Sequence, residues 1–503
     1  MTSYTRALAE FACSVAADDL PGSARAATRR LILDTLGCAV GGSGVRSSQI
    51  VAGLKAAAGG PAQATVLVSG ERLSLLGAVY VNVHAANALD AEETIRHSGH
   101  LAAATVPAAL AVAEHAGASG AQFAAAVAVG FDVAARIALS LRTLDTMPDG
   151  RTVISPVAGS SWAAFAATVA AGRLLGLAPE SMAHAFGLTV ACAPMPIAGR
   201  WGVQASPRPM TKYGLYGAIA QAGVEAALMA RAGMDGDTEV LDGDRGFWRM
   251  NGSQACDWDV LTDALGSRWL VEETSYKLFP ACQWAMPALE LLYRMADEDG
   301  VVLADIDEVE VLVPQAALTK HMAERNVRTI VDGQFSIPHL IALAARGGPP
   351  GPRWHTPDAL ADLAIRAFSD RVRVDVYDRA APILAGLMAR QGHAHLIPTK
   401  VTVRTGERTV TRTSNTCDAD WYDHHAARDD RGLAAKFRRF CEPYLAPQAV
   451  DQATRLIAHL DSAPEVHSLI AALVAGCGGD SAEAASARMP GAASKAATVD
   501  RYR

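Results

Sequence analysis

From Asn87 the chain reads Asn-Ala-Leu-Asp90-Ala-Glu-Glu-Thr94-Ile-Arg-His-Ser-Gly-His100. Carboxylates, a hydroxyl, Arg96 and two imidazoles are crowded into a region otherwise rich in Ala, Leu and Val. Packed helices do not accept unpaired charge, so these groups must be paired or used. The chemistry they offer is proton transfer, with an imidazole as carrier and a carboxylate and a hydroxyl to orient it. Asp90 and Thr94 are four apart and share a face if the segment is helical. Ser98 is placed to cap a helix that begins near His100. A histidine in the first turn of that helix feels the positive end of the dipole, which favours the neutral, base-competent ring. The same residues read equally well as a capping segment with solvated histidines.

Two further stretches carry cations into apolar surroundings. Gly199-Arg-Trp-Gly-Val-Gln-Ala-Ser-Pro-Arg-Pro-Met-Thr-Lys212-Tyr213 is punctuated by Gly and Pro and leads into an apolar helix. It supplies Arg200, Arg208 and Lys212 as carboxylate-binding candidates, with a snorkelling surface lysine as the plainer alternative. Lys277-Leu-Phe-Pro280-Ala-Cys282 opens a second region. The apolar neighbourhood of Cys282 argues against a nucleophilic thiolate there. His393-Ala-His395 and Asp423-His424-His425 have metal-like spacing but no recognisable ligand frame, and read as surface histidines. No Gly-x-Gly-x-x-Gly turn opens a βαβ unit and no Walker loop occurs, so nothing supports a nucleotide cofactor.

The elements that must hold these groups follow from composition and period. Of 503 residues, half are hydrophobic but only 6% aromatic, which predicts closely packed Ala-rich helices. The formal net charge of −7, without a basic stripe, excludes nucleic acid as an expected partner. Eight scattered cysteines without a C-x-x-C pair fit a reducing cytoplasm. No segment gives 18 apolar residues free of charge and helix breakers, so no membrane span is expected. Helices are predicted over residues 25–40, 101–117, 121–140, 163–175 and 217–232, several ending at glycine. Alternation over 306–313 and 400–412 predicts strands, with a helix over 336–345 between them. Helix returns at 433–440 and 448–460. The expected fold is mainly α. A helical domain spans 1–269 and resumes at 416–477, a smaller α+β lid spans 270–415, and 478–503 has the composition of a structureless tail.

Leu31-Ile-Leu-Asp-Thr-Leu-Gly37, Ala88-Leu-Asp90-x-x-x-Thr94 with His100, and Arg173-Leu-Leu-Gly-Leu177 follow in order along the chain. So do Met210-Thr-Lys212, Val240-Leu-Asp-Gly243, Lys277-x-Phe-Pro280 and Asp332-Gly-Gln-Phe-Ser-Ile-Pro338. In these motifs the chain resembles the MmgE/PrpD family. The resemblance implies a helical domain, an α+β lid, a cleft between them, a homodimer and no metal or nucleotide cofactor. It implies dehydratase, decarboxylase or epimerase chemistry on small di- and tricarboxylates. The family's Asp, Thr and His fall on Asp90, Thr94 and His100, and its two active-site lysines on Lys212 and Lys277. Where decarboxylase-like members carry histidines, this chain has Val157 (with Ser155 close by), Cys282 and Met286. The expectation is therefore a cofactor-independent lyase, a dehydratase rather than a decarboxylase. An epimerase, a pathway enzyme with a less polar substrate, and an inactive dimeric binding protein are the alternatives.

Overall fold

The computed structural model describes residues 3–95, 99–142, 144–146, 152–154, 161–204, 207–346, 348–391, 395–417, 430–474 and 476. Two separate hydrophobic cores organise them, one helical and one built on a sheet. The chain is mainly α with a smaller α+β unit.

The helical core is centred on Ala163–Leu174, buried from Ala163 to Gly172. Leu101–Ala116, Gly120–Ser140, Pro179–Cys192 and Tyr216–Arg231 pack around it. Small residues make this possible. A Cβ added to Gly223 would lie 2.3 Å from the Ala164 carbonyl oxygen, and one added to Gly130 would lie 2.7 Å from that of Ala166. Backbones approach so closely only where no side chain intervenes. Gly120–Ser140 is long and apolar enough to cross a membrane by length and composition, but 94% of its apolar window is buried inside the protein. It also carries an Asp132–Arg136 ion pair at 2.7 Å, with both side chains buried. It is a core helix.

The chain leaves this core and later returns to it. Asp430–Cys441, Pro447–Ala458 and His467–Val474 add Leu433, Phe437, Ala453 and Leu473 to the first core. Asp430–Cys441 lies along Gly22–Gly42, where Lys436 Nζ donates to Asp34 Oδ1 at 2.5 Å and to the carbonyl of Ala91. Both side chains are buried, and removing one partner strands the other charge. Lys436→Ala is therefore expected to lower stability by about 3–5 kcal/mol in a urea melt. Restoring an uncharged pair with Asp34→Leu/Lys436→Met should recover most of it. A loss below about 1 kcal/mol in the single variant would show that the pair does not fasten the two helices.

The α+β unit is built on a four-stranded sheet in the order Val372–Val376, Glu308–Val313, Thr399–Thr405, Arg408–Ser414. The first pair is parallel, and the others are antiparallel. Val309, Val311 and Val313 point into the core and alternate with Glu308, Glu310 and Leu312. Met286–Asp299 and Ile337–Arg346 pack against the sheet. The expected strand over 400–412 is two strands, turned at Gly406 with φ +57. The parallel strand Val372–Val376 was not expected. Only Val372 in it is buried, so its period is weak, and pairing with Glu308–Val313 creates it.

A shared face for Asp90 and Thr94 depended on the segment being helical. The segment carrying Asp90 and Thr94 is not helical, because Leu75–Asn87 ends just before it. Asp90 takes the left-handed conformation, φ +54, so it and Thr94 share no helical face. Ser98, Ser155, Val157, His393, residues 423–425 and the tail 478–503 lie outside the described residues.

Candidate active site

The loop after Leu75–Asn87 is held by its own polar groups. Thr94 pairs with Ser275 through both backbone N–H groups, each bond 2.9 Å. That bridge places the loop beside the segment carrying Lys277. Glu93 turns inward and accepts the Ala102 N–H at 2.8 Å, so it caps Leu101–Ala116 where Ser98 had been expected to. His100 is the residue at the cap rather than in the first turn, and its side chain makes no cap hydrogen bond.

Asp90 is the hub. Its Oδ1 accepts from Lys212 Nζ at 2.9 Å and from the Tyr213 hydroxyl at 2.7 Å, and its Oδ2 accepts from Lys277 Nζ at 3.0 Å. Lys277 also donates to the Asp90 carbonyl at 2.8 Å, and Lys212 to the Asn87 carbonyl at 2.5 Å. Lys212, like Asp90, has a positive φ, +50. Two non-glycine residues in this sparsely populated region, bonded to each other, mark a site that the surrounding fold overrides local preference to build. Burial opposes ionisation of Asp90. Lys212 and Lys277, helped by His100 and the Tyr213 hydrogen bond, prevail and hold the carboxyl well below its usual range. Burial likewise disfavours the Lys277 ammonium, but Asp90 and Glu92 keep it charged.

His100 stacks on Tyr213 with ring centroids 5.5 Å apart. Its Nδ1 is 2.6 Å from the carbonyl oxygen of Glu93 and 3.5 Å from Glu92 Oε1. A carbonyl only accepts, so Nδ1 carries the proton and Nε2 presents a lone pair. Nε2 lies 3.8 Å from Asp90 Oδ1, too far for a hydrogen bond. Burial, with Lys277 as the next cause, pushes His100 down to about 4. The neutral ring expected from a helix dipole is thus produced mainly by burial.

Asp90, Glu92 and His100 bring ligand atoms within 4.8 Å of one another, a spacing that would suit a cation. Both Asp90 oxygens, however, already accept from ammonium groups.

Cys282 is buried close enough to Asp90, Lys277 and Arg208 to feel their charges. Burial first, and Asp90 next, push its thiol up to about 12, and it is no nucleophile at neutral pH. Met286 is buried at the start of Met286–Asp299. Arg208 is buried beside Trp201, whereas Arg200 is exposed on Ala198–Gln204. Asp90, His100, Lys212 and Lys277 therefore converge, and Thr94 joins them through its backbone.

Tyr213, Asn87, Glu92 and Gln334 also belong to the site, and residue types alone did not single them out. Asn87 Nδ2 donates to Glu92 Oε1, and Gln334 Nε2 donates to the Ala88 carbonyl at 2.8 Å. The Gln334 backbone carbonyl accepts from the Cys282 backbone N–H at 2.8 Å. Adjacency to Lys212 was the available signal for Tyr213. Gln334 stands within a motif whose purpose appears only in three dimensions.

The fold and site define a two-core protein whose helical part contributes Asp90, His100 and Lys212, with Lys277 at the junction with the α+β unit. The MmgE/PrpD N-terminal domain model matches residues 6–256 and the MmgE/PrpD C-terminal domain model matches residues 279–462. The chain belongs to the MmgE/PrpD family. It is 27% identical over 365 residues to a cis-aconitate decarboxylase of Aspergillus terreus, covering 68% of this chain and 71% of that protein. It is 27% identical over 261 residues to human cis-aconitate decarboxylase, covering 50% and 51% of the two chains. A cis-aconitate decarboxylase-like protein, oryM, of Aspergillus oryzae is 26% identical over 311 residues, covering 58% and 62%.

Proposed function

We propose that the chain is a cofactor-independent lyase that abstracts a proton next to a carboxylate of a small di- or tricarboxylate. One observation carries the reading. A histidine with an unprotonated Nε2 stands beside two buried lysines that share a single carboxylate. Each ammonium has three N–H donors, and two are used within the site. The third on each is left for a substrate carboxylate. As His100 Nε2 takes the proton, negative charge builds on that carboxylate, and the lysines stabilise it most strongly in a water-free cleft. The electron pair then forms a carbon–carbon double bond as hydroxide leaves the adjacent carbon and takes a proton from an ammonium N–H. Return of the proton to the opposite face would instead invert the centre.

Dehydration is favoured because neutral His100 is ready to accept a proton at neutral pH and poorly placed to donate one. Decarboxylation is the second reading, supported by the names of the relatives. It requires protonation of the substrate carbon, a task the lysines would have to supply. A homodimer is part of the same proposal.

Incubation with citrate, 2-methylcitrate, cis-aconitate and iminodisuccinate in D₂O, followed by proton NMR, tests it. New alkene signals from a hydroxy acid are expected. Loss of carbon dioxide from cis-aconitate would move the assignment to decarboxylase. Deuterium entry with changed configuration would move it to epimerase. No change in any substrate would overturn the reading.

A further inference from the structure

Arg208 is only 3% exposed, yet its Nε and Nη1 are buried with no hydrogen-bond partner among the described residues. Buried guanidinium groups are ordinarily paired, and one whose nitrogens are unsatisfied is suited to bind an anion. Its setting is built. The guanidinium carbon lies 3.7 Å from the Trp201 ring centroid and 5.0 Å from that of Phe335. Such stacking fixes the plane while leaving the edges open. The backbone is pinned as well. Arg208 N donates to Asp332 Oδ1 at 3.0 Å, and the Arg208 carbonyl accepts from the Thr329 hydroxyl at 3.1 Å. Asp332 also closes a capping box with Thr329 at the start of Ile330–Phe335. The α+β unit therefore supplies the clamp, the floor and part of the stack. Trp201 meets Tyr213 edge to face, with centroids 5.5 Å apart, and Tyr213 bonds Asp90. An aromatic wall thus joins the guanidinium to the lysine centre. Arg208 is also close enough to Asp332 and Asp90 to feel their charges.

The geometry points to Arg208 as the residue that binds a second carboxylate of the substrate, away from the reacting carbon, with Asp332 as its positioning residue. A carboxylate on either edge of the guanidinium takes up Nε or Nη1, and Nη2 completes the pair. The lysines hold the carboxylate next to the proton lost, and Arg208 sets which acids are accepted. This rests on the proposed carboxylate chemistry of the lysine centre, but its test does not need turnover.

The experiment is calorimetric binding of succinate, glutarate and tricarballylate, each beside its monomethyl ester, to the full chain. The wild type is expected to bind at least one free acid roughly 10- to 100-fold tighter than its ester. Arg208→Gln should erase that ratio by weakening the free acid and leaving the ester unmoved. Arg208→Lys should restore part of it, because the charge returns without the fork. Asp332→Ala should reduce the ratio in the same direction. Equal weakening of acid and ester, an unchanged ratio in Arg208→Gln, or no acid preference in the wild type would overturn the assignment. A preserved preference with no turnover of any substrate would instead sink the proposed reaction and leave the role of Arg208 standing.

Discussion

Asp90→Asn is expected to reduce turnover by about 10³-fold and stability by about 3–5 kcal/mol. The substitution keeps the size of the side chain. Asparagine is among the few residues that accept the left-handed conformation seen at φ +54, so the backbone is not the cause. Only the charge is removed. Lys212 and Lys277 then share a buried space with no carboxylate on either Nζ, and the amide nitrogen of Asn offers a donor where an acceptor is needed. One lysine must lose its proton or swing away, and either response removes a cation from the developing substrate charge. Turnover measured with the substrate found by NMR, alongside a urea melt, decides it. Activity within tenfold of the wild type would show that Asp90 is not the counter-ion on which both lysines depend.

His100→Gln should lower kcat by about 10²-fold to 10⁴-fold, the range supplied by a positioned general base. Glutamine can still donate to the Glu93 carbonyl, but it has no lone pair of useful basicity. The pH profile separates this from mere loss of packing. Wild-type kcat/KM should be flat near neutrality and fall on the acid side with an apparent pKa near 4, because His100 is depressed to about that value. Asp90, Glu92, Lys212, Lys277 and Tyr213 face the ring, so the limb belongs to the cluster. The variant should lose the limb. An acid limb near 6.5, the value of an unperturbed imidazole, would contradict the buried neutral ring. The same depression has a stability consequence. The unfolded chain binds this proton near 6.5 and the folded chain only near 4. Stability is therefore fully present above 6.5 and is lost as pH falls through 4. His84 and His355, also lowered to about 4 chiefly by burial, act in the same direction. Glu93, pushed up to about 8 by burial, acts oppositely, losing stability between its unfolded value near 4.5 and about 8.

Much of the architecture was legible because helices announce themselves by period and by terminal glycine. Leu101–Ala116 is followed by Gly117 at φ +65, as its composition indicates. Val372–Val376 was not legible, since a single buried valine cannot signal a strand whose stability comes from its neighbour. Asp90, His100, Lys212 and Lys277 stood out as charges in apolar stretches, and their motifs placed them together. Their conformation did not stand out. Aspartate visits positive φ more readily than most residues and lysine does not, but nothing in the residue types says that Asp90 and Lys212 both adopt it. Lys436 was invisible as well, since its partner Asp34 lies 402 positions away.

That separation has a consequence for how the protein is made. Asp34 emerges from the ribosome early, and Lys436 only after the whole α+β unit has been synthesised. Until then Asp34 on Gly22–Gly42 lacks its direct ion-pair partner, and the first core lacks Leu433, Phe437 and Leu473. The loop bearing Asp90 is fastened at Ala91 by that same late lysine. That fastening of the loop can form only once residues 430–441 have been made, and a chain truncated before residue 430 is expected to lack it.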